Sequence, residues 1–227
     1  VLSTAPGIVL MLAQRAKVMS QVPMVVFPPW DNPLAAAGFW TAKLTALKLV
    51  ANYLGLLFVP WRLSCDYSYA QVQLFSGGIA DWLTLLFVIA IAAAALWMYR
   101  IHRPVFFLAA FAAITFLPTS NILFPIGAIM AERFLYLPAV AVAITTAVAL
   151  GALERRLGKA RLAQSALAVL IVLFAARTWA RNLDWRDDVS LMSAAVSASP
   201  NSFKSHMGLA LALFESDPGH TSINRIV

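Results

Sequence analysis

An acidic and a basic residue, Glu132 and Arg133, stand side by side in Thr119-Ser-Asn-Ile-Leu-Phe-Pro-Ile-Gly-Ala-Ile-Met-Ala-Glu-Arg-Phe-Leu-Tyr-Leu-Pro138, within an otherwise very apolar chain. Ionisable groups in such surroundings are costly and point first to function. The Arg133 guanidinium can hold a phosphate through charge-assisted hydrogen bonds, while Glu132 orients it or binds a polar acceptor. The plainer alternative is a structural ion pair or an interfacial anchor. Tyr136 can hydrogen-bond to or stack on a polar ligand, or sit in an aromatic belt. Asp66, between Cys65 and Tyr67, is a candidate acid or base with no visible partner carboxylate. Asp31-Asn32-Pro33 reads as a wall of the same site or as a turn capped by its own side chains.

No metal site is expected. His102 lies in a basic connector, His206 in a helical segment, and neither has a second ligand at i+3 or i+4. Cys65 is the only cysteine, so no internal disulfide can form. Phosphate-binding loops, dinucleotide glycine patterns and nucleophile elbows are absent.

The elements that must position these residues are membrane helices. Hydrophobic residues make up 61% of the chain and charged ones 12%, and the apolar runs approach the ~20 residues that cross a bilayer. The net charge of +7 gathers at the ends of those runs, which assigns the basicity to topology and away from nucleic acid. Spans are expected at 82–99, 105–122 with Pro118 kinking or ending the helix, 134–153 and 163–179. The segment 41–60 either crosses or lies in the interface, because Lys43, Lys48 and Asn52 interrupt it, roughly on one face.

Arg100-Ile-His-Arg-Pro104 and Glu154-Arg-Arg-Leu-Gly-Lys-Ala-Arg161, the latter with four basic residues against one acid, are read as cytoplasmic. Residues 61–69, the Glu132-Arg133 stretch and everything after Arg181 then fall on the opposite side. Leu2 to Ala13 reads as the end of a further span, and Gln21 to Ala36 as a proline-rich connector. From Val189 the pattern becomes a soluble helix pair, with Leu191, Ala194, Ala195 and Ala198 before Pro200-Asn201, and Met207, Ala210, Leu211 and Phe214 after it. The expected class is all-α: a polytopic helical membrane domain over 1–188, followed over 189–227 by the start of a tetratricopeptide repeat array. One such unit cannot bury its own apolar face, so more repeats are expected to follow. Val1 is not an initiator methionine, and the chain reads as an internal piece of a longer protein.

Asp31-Asn-Pro33, Leu63-Ser-Cys-Asp-Tyr-Ser-Tyr69, Ser120-Asn-Ile-Leu-Phe-Pro-Ile-Gly127, Ala131-Glu-Arg-Phe-Leu-Tyr-Leu-Pro138 and Arg181-Asn-Leu-Asp-Trp185, in this order and ahead of a helical hairpin, resemble the transmembrane and tetratricopeptide-repeat-containing O-mannosyltransferases and their bacterial relatives. The resemblance runs from about Met19 to Phe214. It implies a GT-C glycosyltransferase, of which this is the C-terminal part of the membrane domain, that moves a mannose-like sugar from a polyprenyl- or dolichyl-phosphate donor to Ser or Thr of acceptor proteins. The chemistry would occur on the lumenal or periplasmic face of the endoplasmic reticulum or bacterial inner membrane. The alanine- and arginine-rich spans favour a bacterial relative. The resemblance also implies a catalytic acid in an earlier loop, upstream of this stretch, so no catalytic residue is assigned. Arg133, Glu132 and Tyr136 are the candidates for donor-phosphate or substrate contact, with Asp31, Asn32 and Asp66 as site wall. The lipid-linked sugar is a substrate, and no other cofactor is expected. Two other readings fit the same pattern: an oligosaccharide-ligase-type polyprenyl-linked transferase, and a non-catalytic membrane scaffold that presents repeats.

Overall fold

A computed structural model describes residues 27–158 and 160–217, together with isolated positions between 6 and 17. Half of the expected N-terminal span, residues 21–26 of the proline-rich connector and the last ten residues lie outside the described residues.

The fold is all-α. Among the residues described from 27 onward the α-helices are α1 (Phe39–Phe58), α2 (Ile79–Ile101), α3 (Arg103–Phe116), α4 (Tyr136–Leu157), α5 (Ala160–Asp184), α6 (Asp188–Ala198) and α7 (Phe203–Ser216). Three stretches among the described residues are long and apolar enough to cross a membrane: Ile79–Ile101, Glu132–Leu157 and Ala160–Asp184. They are exposed along most of their length, as lipid-facing helices are. Each is packed on its chain neighbour, α2 on α3, α3 on α4 and α4 on α5. His102 alone separates α2 from α3, and Gly158, at φ +64°, closes α4 in the left-handed conformation that glycine adopts without strain. Such short connectors make neighbouring helices antiparallel. Both basic connectors therefore lie at one end of the bundle, and the longer loops 59–78 and 117–131 at the other.

α3 is shorter than the expected span over 105–122. It ends at Phe116, tightens into a 3-10 turn over Leu117–Thr119 around Pro118, and leaves the helical path at Asn121. The Ser120 hydroxyl donates to the Leu117 carbonyl at 2.8 Å and so satisfies a backbone acceptor that the helix abandons.

α1 does not run beside the long helices from end to end. Lys43 Nζ donates to the carbonyls of Ile122 (2.5 Å) and Leu123 (3.0 Å), and Lys48 pairs with Asp81 at 2.6 Å. Asp81 sits in the first turn of α2, where a carboxylate also favours the helix. Farther along, Tyr53 Oη accepts from the Ala131 N–H at 3.0 Å, and just beyond the helix the Pro60 and Trp61 carbonyls accept from Arg177 at 2.9 and 3.1 Å. Every one of these partners belongs to the loop-bearing end. The two lysines, expected roughly on one face, reach different elements, Lys43 the loop after α3 and Lys48 the first turn of α2.

The core lies at this same end. Leu34, Ala46, Leu49, Tyr53, Tyr67, Ile129, Met130 and Leu135 form one buried cluster drawn from α1 and the loops around it. Tyr53 closes it edge-on against Phe116, with ring centroids 4.7 Å apart.

The segment after Val189 is a helical hairpin. Asp187 caps α6 and Ser202 caps α7, each accepting from the N–H three residues on. No clear repeat array is seen among the described residues. Met207, Leu211 and Phe214, expected on a packing face, stand exposed on α7.

Candidate functional site

The loop after α1 binds the other segments of this end together. The Ser64 N–H donates to Glu132 Oε1 at 2.5 Å, and the Tyr67 hydroxyl donates to the same oxygen at 2.7 Å. Glu132 can make both contacts because it opens a 3-10 turn, Glu132–Leu135, that precedes α4 and turns its side chain toward the loop. Burial first, and then the bond to Glu132, push the Tyr67 phenol up, so it remains a donor. Arg177 and Arg181 act on the same carboxylate from α5. Arg181 is only 9% exposed and pairs with Asp184 at 2.8 Å.

The adjacent charges separate. Glu132 faces the loop, whereas Arg133 is exposed, with its guanidinium 5.3 Å from the Phe134 ring centroid. Among the described residues Arg133 has no ion-pair or hydrogen-bond partner. It is thus a cation held at the edge of the site and free to meet an anion. Tyr136 begins α4 with 79% of its surface exposed, and it is not among the hydrogen-bond or ion-pair partners of Asp31, Asn32 or Asp66.

Asn32, fully buried, donates to Asn121 Oδ1 (2.9 Å) and to the Ile126 carbonyl (2.7 Å) and accepts from the Leu34 N–H (3.0 Å). It therefore acts both as a turn cap and as a clasp between two loops. Asp31 pairs with Lys204 on α7 at 2.9 Å. Asp66 Oδ1 accepts from the Ser68 N–H (2.8 Å) and from the Ser202 hydroxyl (2.9 Å). Further bonds join the same loop to the hairpin: the Ala70 N–H to the Asn201 carbonyl (2.7 Å), and the Phe203 N–H to the Tyr69 carbonyl (2.7 Å). Asp31 and Asp66 thus seat the hairpin, and Glu132 and Asn32 tie the loops beneath it.

Ser64, Tyr67 and Asn121 complete the arrangement without having been singled out one by one. The signal available was that they are polar positions inside stretches otherwise built for burial. No cluster of metal-ligating side chains exists among the described residues.

Cys65 flanks the Glu132 contact. Burial, and then the Asp66 carboxylate, raise its thiol above the ordinary value, with Arg181 opposing. Because only the thiolate reacts, iodoacetamide labelling should reach half its limiting rate at a pH above the ~8.5 of a free thiol. Asp66→Asn should move that midpoint down only part of the way, since burial is the larger cause. A midpoint at or below the free-thiol value would contradict this environment.

A profile of the family described as "Protein O-mannosyl-transferase TMTC, DUF1736" matches residues 20–95. The chain is 34% identical over 93% of its length to "Protein O-mannosyl-transferase Tmtc3" of Drosophila melanogaster, of which it covers 24%. It is 29% identical over 88% of its length to "Protein O-mannosyl-transferase TMTC4" of Homo sapiens, covering 28% of that protein, and 27% identical over 87% to "Protein O-mannosyl-transferase TMTC3" of Mus musculus, covering 22%. The chain therefore spans about a quarter of the length of these relatives. No solved structure matches it.

Proposed function

We propose that this chain is part of a TMTC-type protein O-mannosyl-transferase, a membrane enzyme that moves a mannose-like sugar from a polyprenyl- or dolichyl-phosphate donor to Ser or Thr hydroxyls of protein acceptors. The observation that carries this reading is the meeting of the separate motifs at one end of the bundle: Asn32 on Asn121, the Ser64–Tyr67 loop on Glu132, and Arg181 beside them. Loop charge supports placing that end on the lumenal or periplasmic side, because both basic connectors lie at the other. The composition of the spans supports a bacterial relative, and the helical hairpin supports the start of a tetratricopeptide array that would hold acceptors close to the membrane.

In an inverting transfer the acceptor oxygen forms a bond to the sugar C1 as the bond from C1 to the donor phosphate oxygen breaks. A base takes the hydroxyl proton, and the lipid phosphate leaves with both electrons of the broken bond. Within this stretch Arg133 suits the developing charge on the phosphate. Glu132, held by two donors, fixes the turn from which Arg133 projects. Tyr136 lies one helical turn farther and suits contact with the polar part of a donor. No residue of this stretch is assigned as the proton acceptor.

The test is transfer by the purified full-length protein from a panel of lipid-linked sugars to a Ser/Thr peptide. The expected result is transfer from a lipid-monophosphate hexose. Transfer only from lipid-pyrophosphate oligosaccharides would favour the ligase reading. No transfer from any donor, with partner binding intact, would favour the scaffold.

A further inference from the structure

We infer that α1 is an interfacial helix whose outer face is a lipid-binding surface, lying flat at the boundary between headgroups and acyl chains. The evidence is the pairing of its ends with a single end of the bundle. Lys43, five residues in, reaches Ile122 and Leu123, while Pro60 and Trp61, just past its last turn, accept from Arg177, and Tyr53 meets Ala131 between them. A 20-residue helix is about 30 Å long, so a crossing helix would place these contacts on opposite sides of a bilayer.

The side turned away from the core carries the exposed Trp40, Leu47 and Phe58 and, between them, the half-buried Leu44, Ala51 and Leu54, all within roughly 80° of arc at 100° per residue. No charge or hydrogen-bonding aliphatic side chain interrupts this stripe. Its core-facing counterpart, Ala46, Leu49 and Tyr53, is buried. The two lysines that flank the stripe are drawn away to backbone carbonyls and to Asp81. At the ends stand Trp40, 74% exposed, and Trp61, 78% exposed, the residue type that settles at headgroup level.

The occupant that fits is bilayer lipid. α1 packs on α2, whose first turns present the exposed Trp82, Leu83, Leu86 and Phe87 and which is itself long enough to span. One lipid-facing surface thus turns from a helix along the membrane plane into a helix across it. An interfacial helix of this kind binds through its buried apolar area. It also sets the height of the loops it carries, including the 122–131 loop and the start of α2. This surface requires a bilayer but no transferase activity, so its failure and that of the proposed reaction are separable.

Spin labels at positions 40, 47, 54 and 58 of the full-length protein, introduced singly as cysteines with the other cysteines replaced, would be read in nanodiscs by collision with oxygen and with a water-soluble nickel chelate. All four labels should show high oxygen and low nickel collision, at one shared depth. A depth that changes steadily by about 27 Å between 40 and 58 would mean that α1 crosses and would overturn the inference. High nickel collision would overturn it in favour of water, and low collision with both in favour of protein cover by the rest of the chain or a second copy. For any label that prevents folding, quenching by lipids brominated near the glycerol backbone, lost in Trp40→Phe and Trp61→Phe, gives the same reading, and unchanged quenching in both would overturn it.

Discussion

Asn121→Ala is expected to lower the stability of the protein by about 3–5 kcal/mol, more than any other single polar truncation at this end of the bundle. Asn121 is 3% exposed and uses its whole side chain: Oδ1 accepts from Asn32 Nδ2 and from the Ile126 N–H, both at 2.9 Å, and Nδ2 donates to the Ala128 and Ile129 carbonyls at 3.1 and 3.0 Å. Alanine would leave these groups without their partner, and each orphaned buried group costs ~1–3 kcal/mol, less what local rearrangement recovers. The backbone adds to the loss. Asn121 has φ +61°, a conformation that asparagine tolerates and alanine resists by roughly 1–2 kcal/mol. Asn121→Gly should therefore recover the backbone part only, and Asn121→Asp should keep the accepting oxygens while losing the donors. Denaturant titration of the detergent-solubilised full-length protein would measure the series. An alanine variant within 1 kcal/mol of wild type would show that the 121–131 loop is not held in this way.

The long helices and the α6–α7 hairpin were readable because hydropathy and period are local properties of the chain. Trp82 to Tyr99 has no charge over a bilayer's length, and Pro200-Asn201 breaks one helical period before another resumes. The site was only half readable for the opposite reason. Tyr67 and Glu132 are 65 residues apart, and Asn32 and Asn121 are 89 apart. No periodicity links such pairs, and each residue alone resembles an ordinary turn or cap. The placing of Glu132 and Arg133 shows the limit most clearly. Adjacent opposite charges invite an ion pair, but a 3-10 turn sends one side chain to the loop and leaves the other exposed, a division set by backbone geometry that residue types do not encode. α1 was ambiguous for a related reason. Its lysines lower its hydropathy whether they face water or, as here, backbone carbonyls and a carboxylate.

That division lets Glu132 and Arg133 be tested as separate functions. Arg133→Ala should reduce kcat/KM for transfer by about 100-fold, because removing one positioned charge from a developing anion typically costs 10²–10³ in rate. It should cost stability no more than the ~0.5–1 kcal/mol of its exposed cation–π contact with Phe134, since Arg133 has no ion-pair or hydrogen-bond partner to lose among the described residues. Arg133→Lys should recover part of the rate by restoring the charge without the planar fork that grips a phosphate. Glu132→Ala should do the reverse in kind. It leaves the Tyr67 hydroxyl without its acceptor beside Arg181 and the Ser64 N–H with only the longer bond to Tyr67 Oη at 3.2 Å, so stability should fall by ~1–3 kcal/mol and activity should fall with it. Tyr67→Phe, which removes only one of the two donors, should lie between Glu132→Ala and wild type in stability. Unfolding midpoints and steady-state rates on the same preparations separate the two roles. Full activity in Arg133→Ala would remove the phosphate role and leave Arg133 as an interfacial anchor. An unaltered midpoint in Glu132→Ala would mean that the clasp between the loop and the 3-10 turn contributes nothing to holding this end of the protein together.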